Sequence, residues 1–220
     1  MGSARRGAIM KLYTYFRSSA AYRVRIALNL KGLPYDMVSI HLIKDGGQQF
    51  TPEFQAINPQ MRVPALQLSS GEVLTQSLAI IEYLDEIQPE PPFLPADALA
   101  RAKVRAVAQA IACDIHPLNN TSPLRYLKRT LKHEQPEIDA WYRHWVTVGF
   151  EAIEAMIRPG PYACGAHVTL ADICLVPQVA NARRLQTPLD KFPKIVAVDA
   201  ACLKLAAFDK ARPENQPDAE

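Results

Sequence analysis

The sequence has 220 residues, of which 49% are hydrophobic and 21% are charged, and its formal net charge is only +3. This composition is typical of a globular chain that buries one large core or two modest ones. Lysines and arginines are scattered among acidic residues without forming a basic stripe, which argues against nucleic-acid binding. No apolar run approaches the roughly 20 residues that a membrane-spanning helix needs, so we expect no membrane insertion.

Residues 1–9 contain Arg5 and Arg6 but no apolar segment follows, because Lys11 and Arg17 interrupt it. This pattern is not that of a secretory signal. We interpret residues 1–9 as a disordered extension, from an upstream start codon or added artificially, and expect the fold to begin at Met10.

The first predicted elements are a strand, a helix and a second strand. The strand covers residues 11–16, the helix stops at Gly32, and residues 35–42 alternate as a second strand. Helix-linked strands usually pair in parallel. A short helix, a hairpin of two strands and another helix follow at residues 54–58, 63–68, 72–75 and 78–84. The order β-α-β-(α)-β-β-α predicts a thioredoxin-like fold.

A proline-rich stretch over residues 89–95 predicts an extended linker, because proline cannot continue a helix. Beyond it, residues 98–113 and 137–156 show long helical periodicity with few strand signals. Thr169 and Asp172 fit a capping box at the start of another helix, and residues 212–220 form a polar tail. The predicted fold class is therefore α/β plus all-α. Its parts are an extension over 1–9, a thioredoxin-like domain over 10–88, a linker over 89–95 and an all-helical domain over 96–220.

Ser18 and Ser19 lie where the first strand leads into the first helix. Serine at such a position is a common helix N-cap. The free backbone N–H groups and the helix dipole also favour an anion there, including a thiolate. The residues alone therefore allow both a structural cap and an anion site.

The four cysteines form no C-x-x-C pair and have no histidines at metal-binding spacing; they are Cys113, Cys164, Cys174 and Cys202. We expect buried, reduced thiols and no metal site. Reduced thiols are typical of a cytoplasmic protein, where glutathione is also abundant.

Three segments, over residues 18–28, 43–49 and 76–84, carry a family resemblance together with Val63-Pro64. In this order they resemble the glutathione transferases, and the zeta class in particular. The resemblance runs from about Met10 almost to the last residue. It implies a glutathione-binding thioredoxin-like domain, an all-helical substrate domain and a homodimer.

The zeta class includes maleylacetoacetate isomerases, so the resemblance implies a glutathione-dependent cis–trans isomerase that acts by reversible thiolate addition. Maleylpyruvate is a close alternative substrate, because both compounds are cis diketo acids. A glutathione transferase or dehalogenase acting on small halogenated acids is a further alternative. A non-enzymatic glutathione-binding protein is the last, because a fold does not determine a function.

The resemblance also implies roles for individual residues toward glutathione. Ser18 is expected to donate its hydroxyl to the sulfur anion, with Ser19 as the reserve candidate. The Val63 backbone, before a cis proline at Pro64, is expected to pair with the cysteinyl part as an added strand. The remaining glutathione contacts are expected from Gln76 and Ser77 at the γ-glutamyl carboxylate, Gln49 at the glycyl end, and His116, Asn120 and Ser122 in the helical domain. For His116 a structural role is an equal alternative.

Two arginines are the candidates for binding the substrate carboxylates and the developing enolate, namely Arg17 beside Ser18 and Arg184 in the helical domain. Arg183 is expected to face solvent. The chain departs from the family's usual Ser-Ser-Cys-x-Trp pattern at two positions, because Ala20 stands at the cysteine position and Tyr22 at the tryptophan position. We therefore expect no protein thiol to take part in the reaction through this motif.

Overall fold

The computed structural model describes residues 9–220, so the predicted N-terminal extension lies outside the described residues except for Ile9. The described chain forms two compact units. The first runs to Pro91 and includes Ala206–Glu220, and the second is Pro92–Leu205.

The first unit contains one four-stranded sheet with the order β2-β1-β3-β4. Strand β1 pairs in parallel with β2 and antiparallel with β3, and β3 and β4 form the predicted antiparallel hairpin. The strands are β1 Met10–Thr14, β2 Tyr35–Ser39, β3 Ala65–Gln67 and β4 Val73–Thr75, and the helices are α1 Ser19–Lys31, α2 Pro52–Ile57 and α3 Ser77–Ile87, with short 3₁₀ helices at Lys44–Gly46 and Gln48–Phe50. The predicted thioredoxin-like element order is confirmed.

Helix α1 ends as the sequence predicts, because Gly32 adopts the left-handed conformation with φ of 64°. Strand β1, however, ends at Thr14, two residues earlier than predicted. The Tyr15 carbonyl accepts a hydrogen bond from the Ser18 N–H at 2.9 Å. The chain therefore turns toward α1 at Tyr15 instead of continuing the ladder.

The second unit is helical, as predicted. Its helices are α4 Ala98–Gln109, α5 His116–Asn119, α6 Thr121–Arg129, α7 Gln135–Met156, α8 Leu170–Arg184 and α9 Pro193–Cys202, with a π-helical turn at Ala110–Ile115. Within its described residues the extended pairing is limited to an isolated bridge between Tyr162 and Gly165. The predicted capping box of α8 is confirmed, because Thr169 and Asp172 hydrogen bond reciprocally.

The π-helical turn interrupts the continuous helix that was predicted over residues 98–113. Ile115 at its end packs so closely on α7 that a Cβ added at Gly149 would lie 2.2 Å from Ile115 Cγ1. The apolar face over residues 104–111 predicts a contact with a partner subunit. That prediction is wrong for this face, because Val104, Val107 and Ile111 are at most 3% exposed in the single chain.

The last residues pack with the first unit, whereas the sequence analysis assigned everything from 96 to 220 to the helical domain. Helix α10, Ala206–Ala211, packs on α1, where the side chain of Asn29 donates to the Ala207 carbonyl at 3.0 Å. The polar tail that follows is hydrogen bonded, with Gln216 Nε2 donating to the Lys210 and Arg212 carbonyls at 2.9 and 2.7 Å. Composition alone did not reveal these contacts.

None of the four cysteines, which all lie in the described part of the chain, forms a disulfide, but only Cys174 and Cys202 are buried as expected. Cys113 and Cys164 are exposed, which corrects the prediction for those two. Desolvation raises the pKa of the Cys164 thiol to about 11, so that thiol is protonated at neutral pH. Among the helices of the described chain, none has the length and apolar character to cross a membrane.

Candidate active site

Ser18 is the N-cap of α1. Its Oγ accepts a hydrogen bond from the Ala21 N–H at 3.2 Å, so the structural role that the sequence allowed is present. A hydroxyl that accepts one bond keeps its own hydrogen for donation. Ser18 is half-buried, whereas Ser19 is only 4% exposed. Of the two hydroxyls, that of Ser18 is therefore the more accessible to a ligand.

Arg25, for which the sequence predicted no role, holds the loop before Ser18. Its guanidinium donates to the Thr14 hydroxyl at 3.0 Å and to the Tyr15 and Phe16 carbonyls at 3.3 and 3.1 Å. Arg25 is fully buried, and this desolvation lowers its pKa to about 10. One sequence signal could have indicated a role for Arg25: it is a charged residue within an otherwise apolar helix face.

Val63 precedes a cis peptide bond to Pro64, as predicted. It lies just before β3 and is 9% exposed, packed in a cluster that includes Tyr13 and Phe54. Within residues 9–220, the Val63 N–H and C=O have no backbone hydrogen-bond partner. An extended peptide that pairs with Val63 as an added strand would need both this N–H donor and this C=O acceptor.

Gln76 and Ser77 form the entry to α3. Gln76 has a φ of 68° and makes no side-chain capping bond, and its Nε2 donates to Gln60 Oε1 at 2.8 Å. Ser77 Oγ accepts from Arg23 Nη1 at 3.3 Å, and Arg23 is 1% exposed. The first N–H groups of α3 and the Ser77 hydroxyl hydrogen thus lie beside a buried cation. This combination favours a carboxylate.

Gln49 lies in the 3₁₀ helix Gln48–Phe50 and is 3% exposed. Its Nε2 donates to the Leu42 carbonyl at 3.4 Å, while its buried Oε1 has no partner in the described part of the chain. A buried carbonyl oxygen left unpaired costs free energy. A ligand N–H at this position would satisfy it.

Arg17 is exposed, and its guanidinium lies 4.9 Å from the centroid of the Phe16 ring. The ring contact orients the arginine through a cation–π interaction without consuming its hydrogen-bond donors. Ala20, at the family's cysteine position, is half-buried.

The other predicted site residues lie in the second unit. His116 begins α5 directly after the π-helical turn and is half-buried. Asn120 is the N-cap of α6, accepting from the Thr121 N–H at 2.7 Å, and Ser122 is exposed in the first turn of that helix.

Arg183 and Arg184 differ in their contacts although both are exposed. Arg183, expected to face solvent, donates to the buried carboxylate of Asp199 at 2.5 Å. Arg184 Nη2 donates to Asn181 Oδ1 at 3.4 Å. Arg184 also lies near the Tyr142 hydroxyl, where its charge opposes the rise in the Tyr142 pKa that burial causes. Among the described residues, the Arg184 guanidinium therefore has neutral partners, Asn181 and Tyr142, whereas the Arg183 guanidinium forms an ion pair with Asp199.

The chain is similar to known proteins over nearly its whole length. Residues 17–87 match the family described as "Glutathione S-transferase, N-terminal domain". A maleylpyruvate isomerase from a Ralstonia species is 49% identical over 213 residues, covering 95% of this chain and 99% of that protein. A maleylacetoacetate isomerase from Pseudomonas aeruginosa is 48% identical over 209 residues, covering 95% and 98%.

Solved structures extend the similarity to three dimensions. A holo maleylpyruvate isomerase, described as a bacterial zeta-class glutathione S-transferase, superposes with a TM-score of 0.92 at 48% identity and covers 96% of this chain and 100% of that one. A maleylacetoacetate isomerase from Methylobacterium extorquens AM1 with bound malonate and glutathione has a TM-score of 0.91 at 37% identity, covering 96% and 99%. With relatives so similar over nearly its whole length, this chain belongs to the zeta class of the glutathione transferase family.

Proposed function

We propose that this protein is a glutathione-dependent cis–trans isomerase that converts maleylacetoacetate to fumarylacetoacetate. The observation that carries the proposal is its near-full-length identity of 48% to a maleylacetoacetate isomerase. Maleylpyruvate is a second candidate substrate, because an isomerase named for it is 49% identical. Identities this close do not favour either substrate.

The residues of the first unit fit glutathione as the cofactor. Glutathione is a peptide with two carboxylates, an ammonium and a thiol, so its site needs backbone pairing groups and carboxylate donors. The Val63 backbone supplies the pairing groups, and the start of α3 with Gln76 and Ser77 supplies the donors for a carboxylate. The orphaned Gln49 oxygen supplies an acceptor at the glycyl end.

When bound, glutathione supplies a thiolate that adds to the cis enone and leaves after rotation about the resulting single bond, so it is recovered unchanged. Ser18 Oγ–H donates to the sulfur and thereby favours its anionic form, while the α1 N-terminus adds its positive dipole end. Ser19, buried in the first turn of α1, remains the reserve donor.

The chain contributes cations for an acidic substrate. Arg184 binds a substrate carboxylate through its planar guanidinium, and Arg17 stabilises the negative charge that develops on the substrate carbonyl oxygen. His116, Asn120 and Ser122 make further contacts to glutathione. Since Ala20 offers no thiol, no covalent step involves this motif.

We propose further that the protein acts in the cytoplasm as a homodimer. Large apolar side chains on the surface of the second unit support self-association, since Leu99 is 65%, Val148 44% and Met156 41% exposed.

The proposal is tested by assaying maleylacetoacetate and maleylpyruvate separately, with and without glutathione, while free glutathione is measured throughout. We expect trans product to form only with glutathione, and glutathione to be fully recovered. Consumption of one glutathione per turnover would instead indicate a transferase or dehalogenase. Binding of glutathione without conversion of either acid would indicate a non-enzymatic protein.

A further inference from the structure

The backbone of Phe16, two residues before Ser18, is held on both sides by charged side chains. Its N–H donates to Asp218 Oδ2 at 3.1 Å, and its carbonyl accepts from Arg25 Nη2 at 3.1 Å. Hydrogen bonds with one ionised partner are roughly twice as strong as neutral ones. Two such bonds on one residue restrict the loop that leads to Ser18.

Asp218 belongs to the polar tail, and the same Oδ2 atom also accepts from the Ser39 hydroxyl at 2.8 Å. One carboxylate oxygen therefore connects the loop after β1 to the end of β2. The other oxygen, Oδ1, is buried and has no hydrogen-bond partner among the described residues. The Asp218 charge also lies near Arg25, where it offsets part of the effect of burial on the Arg25 pKa.

The tail makes a second contact two residues later. The Glu220 carboxylate pairs with Lys44 Nζ and lies 3.4 Å from His41 Nε2. His41 Nδ1 accepts the N–H groups of Ile43 and Lys44 at 3.1 and 2.9 Å. The tail therefore contacts both segments that precede proposed glutathione contacts, the one before Ser18 and the one before Gln49.

We infer that Asp218 is a positioning residue that holds the Ser18 hydroxyl where it meets the sulfur of glutathione, acting through the backbone of Phe16. This inference rests on the proposed function. The alternative is that Asp218 only closes the edge of the sheet. Loss of a polar contact at the protein surface would then lower the stability slightly and leave the sulfur unaffected.

The experiment compares Asp218→Ala and Asp218→Asn with Glu214→Ala. The control removes the same charge from the same tail, but the Glu214 carboxylate pairs with Arg212, whereas that of Asp218 accepts the Phe16 N–H. For each protein, the pKa of the bound glutathione thiol is measured from its ultraviolet thiolate absorbance. Calorimetry gives the glutathione Kd, and hydrogen exchange of the Phe16 amide is followed in the free protein.

We expect Asp218→Ala to expose the Phe16 amide to faster exchange and to reduce the thiolate fraction of bound glutathione about tenfold, with little change in Kd. Asp218→Asn keeps an acceptor oxygen but loses the charge, so its effect should be smaller, about threefold. Glu214→Ala should match the wild type. The asparagine variant keeps the inference testable if the alanine variant fails to fold.

A thiol pKa that is lowered in both Asp218 variants as far as in the wild type overturns the inference alone. If the wild type binds glutathione without lowering its thiol pKa, the proposed role of Ser18 and the inference fail together.

Discussion

Ser18 carries two roles in one side chain, because its oxygen caps α1 while its hydrogen remains available to a ligand. Replacing it therefore changes both the stability of the helix and the chemistry of the site. Replacing the capping serine with alanine costs about 1 kcal/mol, but replacing it with glycine costs only a few tenths. The two substitutions separate the two roles.

We predict that Ser18→Gly and Ser18→Ala both lower turnover by roughly 30- to 1000-fold, which is the usual loss for one donor to an anion, about 2–4 kcal/mol. Glutathione binding should change little, because the hydroxyl acts mainly on the thiolate. Steady-state kinetics, calorimetry and thermal unfolding of both variants check this. Near-normal turnover in Ser18→Gly, with a large loss in Ser19→Ala, would assign the role to Ser19.

Arg184 and Arg183 offer a matched pair on one helix. Arg184→Ala should raise KM for the diketo acid and leave the glutathione Kd unchanged, because Arg184 is proposed to bind a substrate carboxylate and is not among the proposed glutathione contacts. Arg184→Lys should also raise KM, since lysine provides only a point charge where guanidinium matches a carboxylate in shape.

The Arg183→Ala variant is the control for Arg184. It removes a partner of the buried Asp199 carboxylate, so it should lower the free energy of unfolding by about 1–3 kcal/mol with little change in KM. If Arg184→Ala leaves KM and turnover as in the wild type, Arg184 is a surface charge only.

At the scale of elements, the π-helical turn at Ala110–Ile115 decides where the segment with His116 and Asn120 begins. Helix α7 accommodates it through Gly149, since any side chain there would meet Ile115. Periodicity over residues 98–113 predicted a continuous helix, because one extra residue in a turn does not change the pattern of apolar positions enough to be noticed.

We predict that Gly149→Ala destabilises the wild type by about 1–3 kcal/mol through overpacking against Ile115. In an Ile115→Ala background, we expect Gly149→Ala to stabilise the protein instead. The new methyl group then fills space and alanine favours the helix, which stabilises the protein by about 1 kcal/mol. Chemical unfolding of the four proteins gives the coupling free energy. Additive effects would show that the close approach does not constrain the turn.

At the scale of the whole molecule, the prediction concerns the oligomeric state. Val104, Val107 and Ile111 need no partner subunit to cover them, because they are already buried in the single chain. We still predict a homodimer at micromolar concentration, from the family resemblance and the exposed Leu99, Val148 and Met156. Sedimentation equilibrium should give twice the monomer mass of 24.5 kDa. A single species at the monomer mass would reject the prediction.

The sequence by itself determined the order of elements in the first unit, the helical character of the second and the family. These follow from local patterns: alternation in strands, apolar spacing in helices, and the positions of Gly32, Pro64 and the Thr169–Asp172 box. Such signals act between residues that are near in sequence. These signals can therefore be recognised without knowledge of the packing.

Only the tertiary structure decided what depends on residues far apart in the chain. Arg25 holds the Phe16 carbonyl and also donates to the Ala211 carbonyl at 3.1 Å, and Asp218 reaches the Phe16 N–H from the tail. Phe16 and Asp218 are far apart in the sequence, and no local pattern links them. The polar composition of the tail therefore does not predict that it contacts the loop before Ser18. Its contacts form because packing α10 on α1 brings the tail to the loop that leads to Ser18, where unpaired backbone groups need partners.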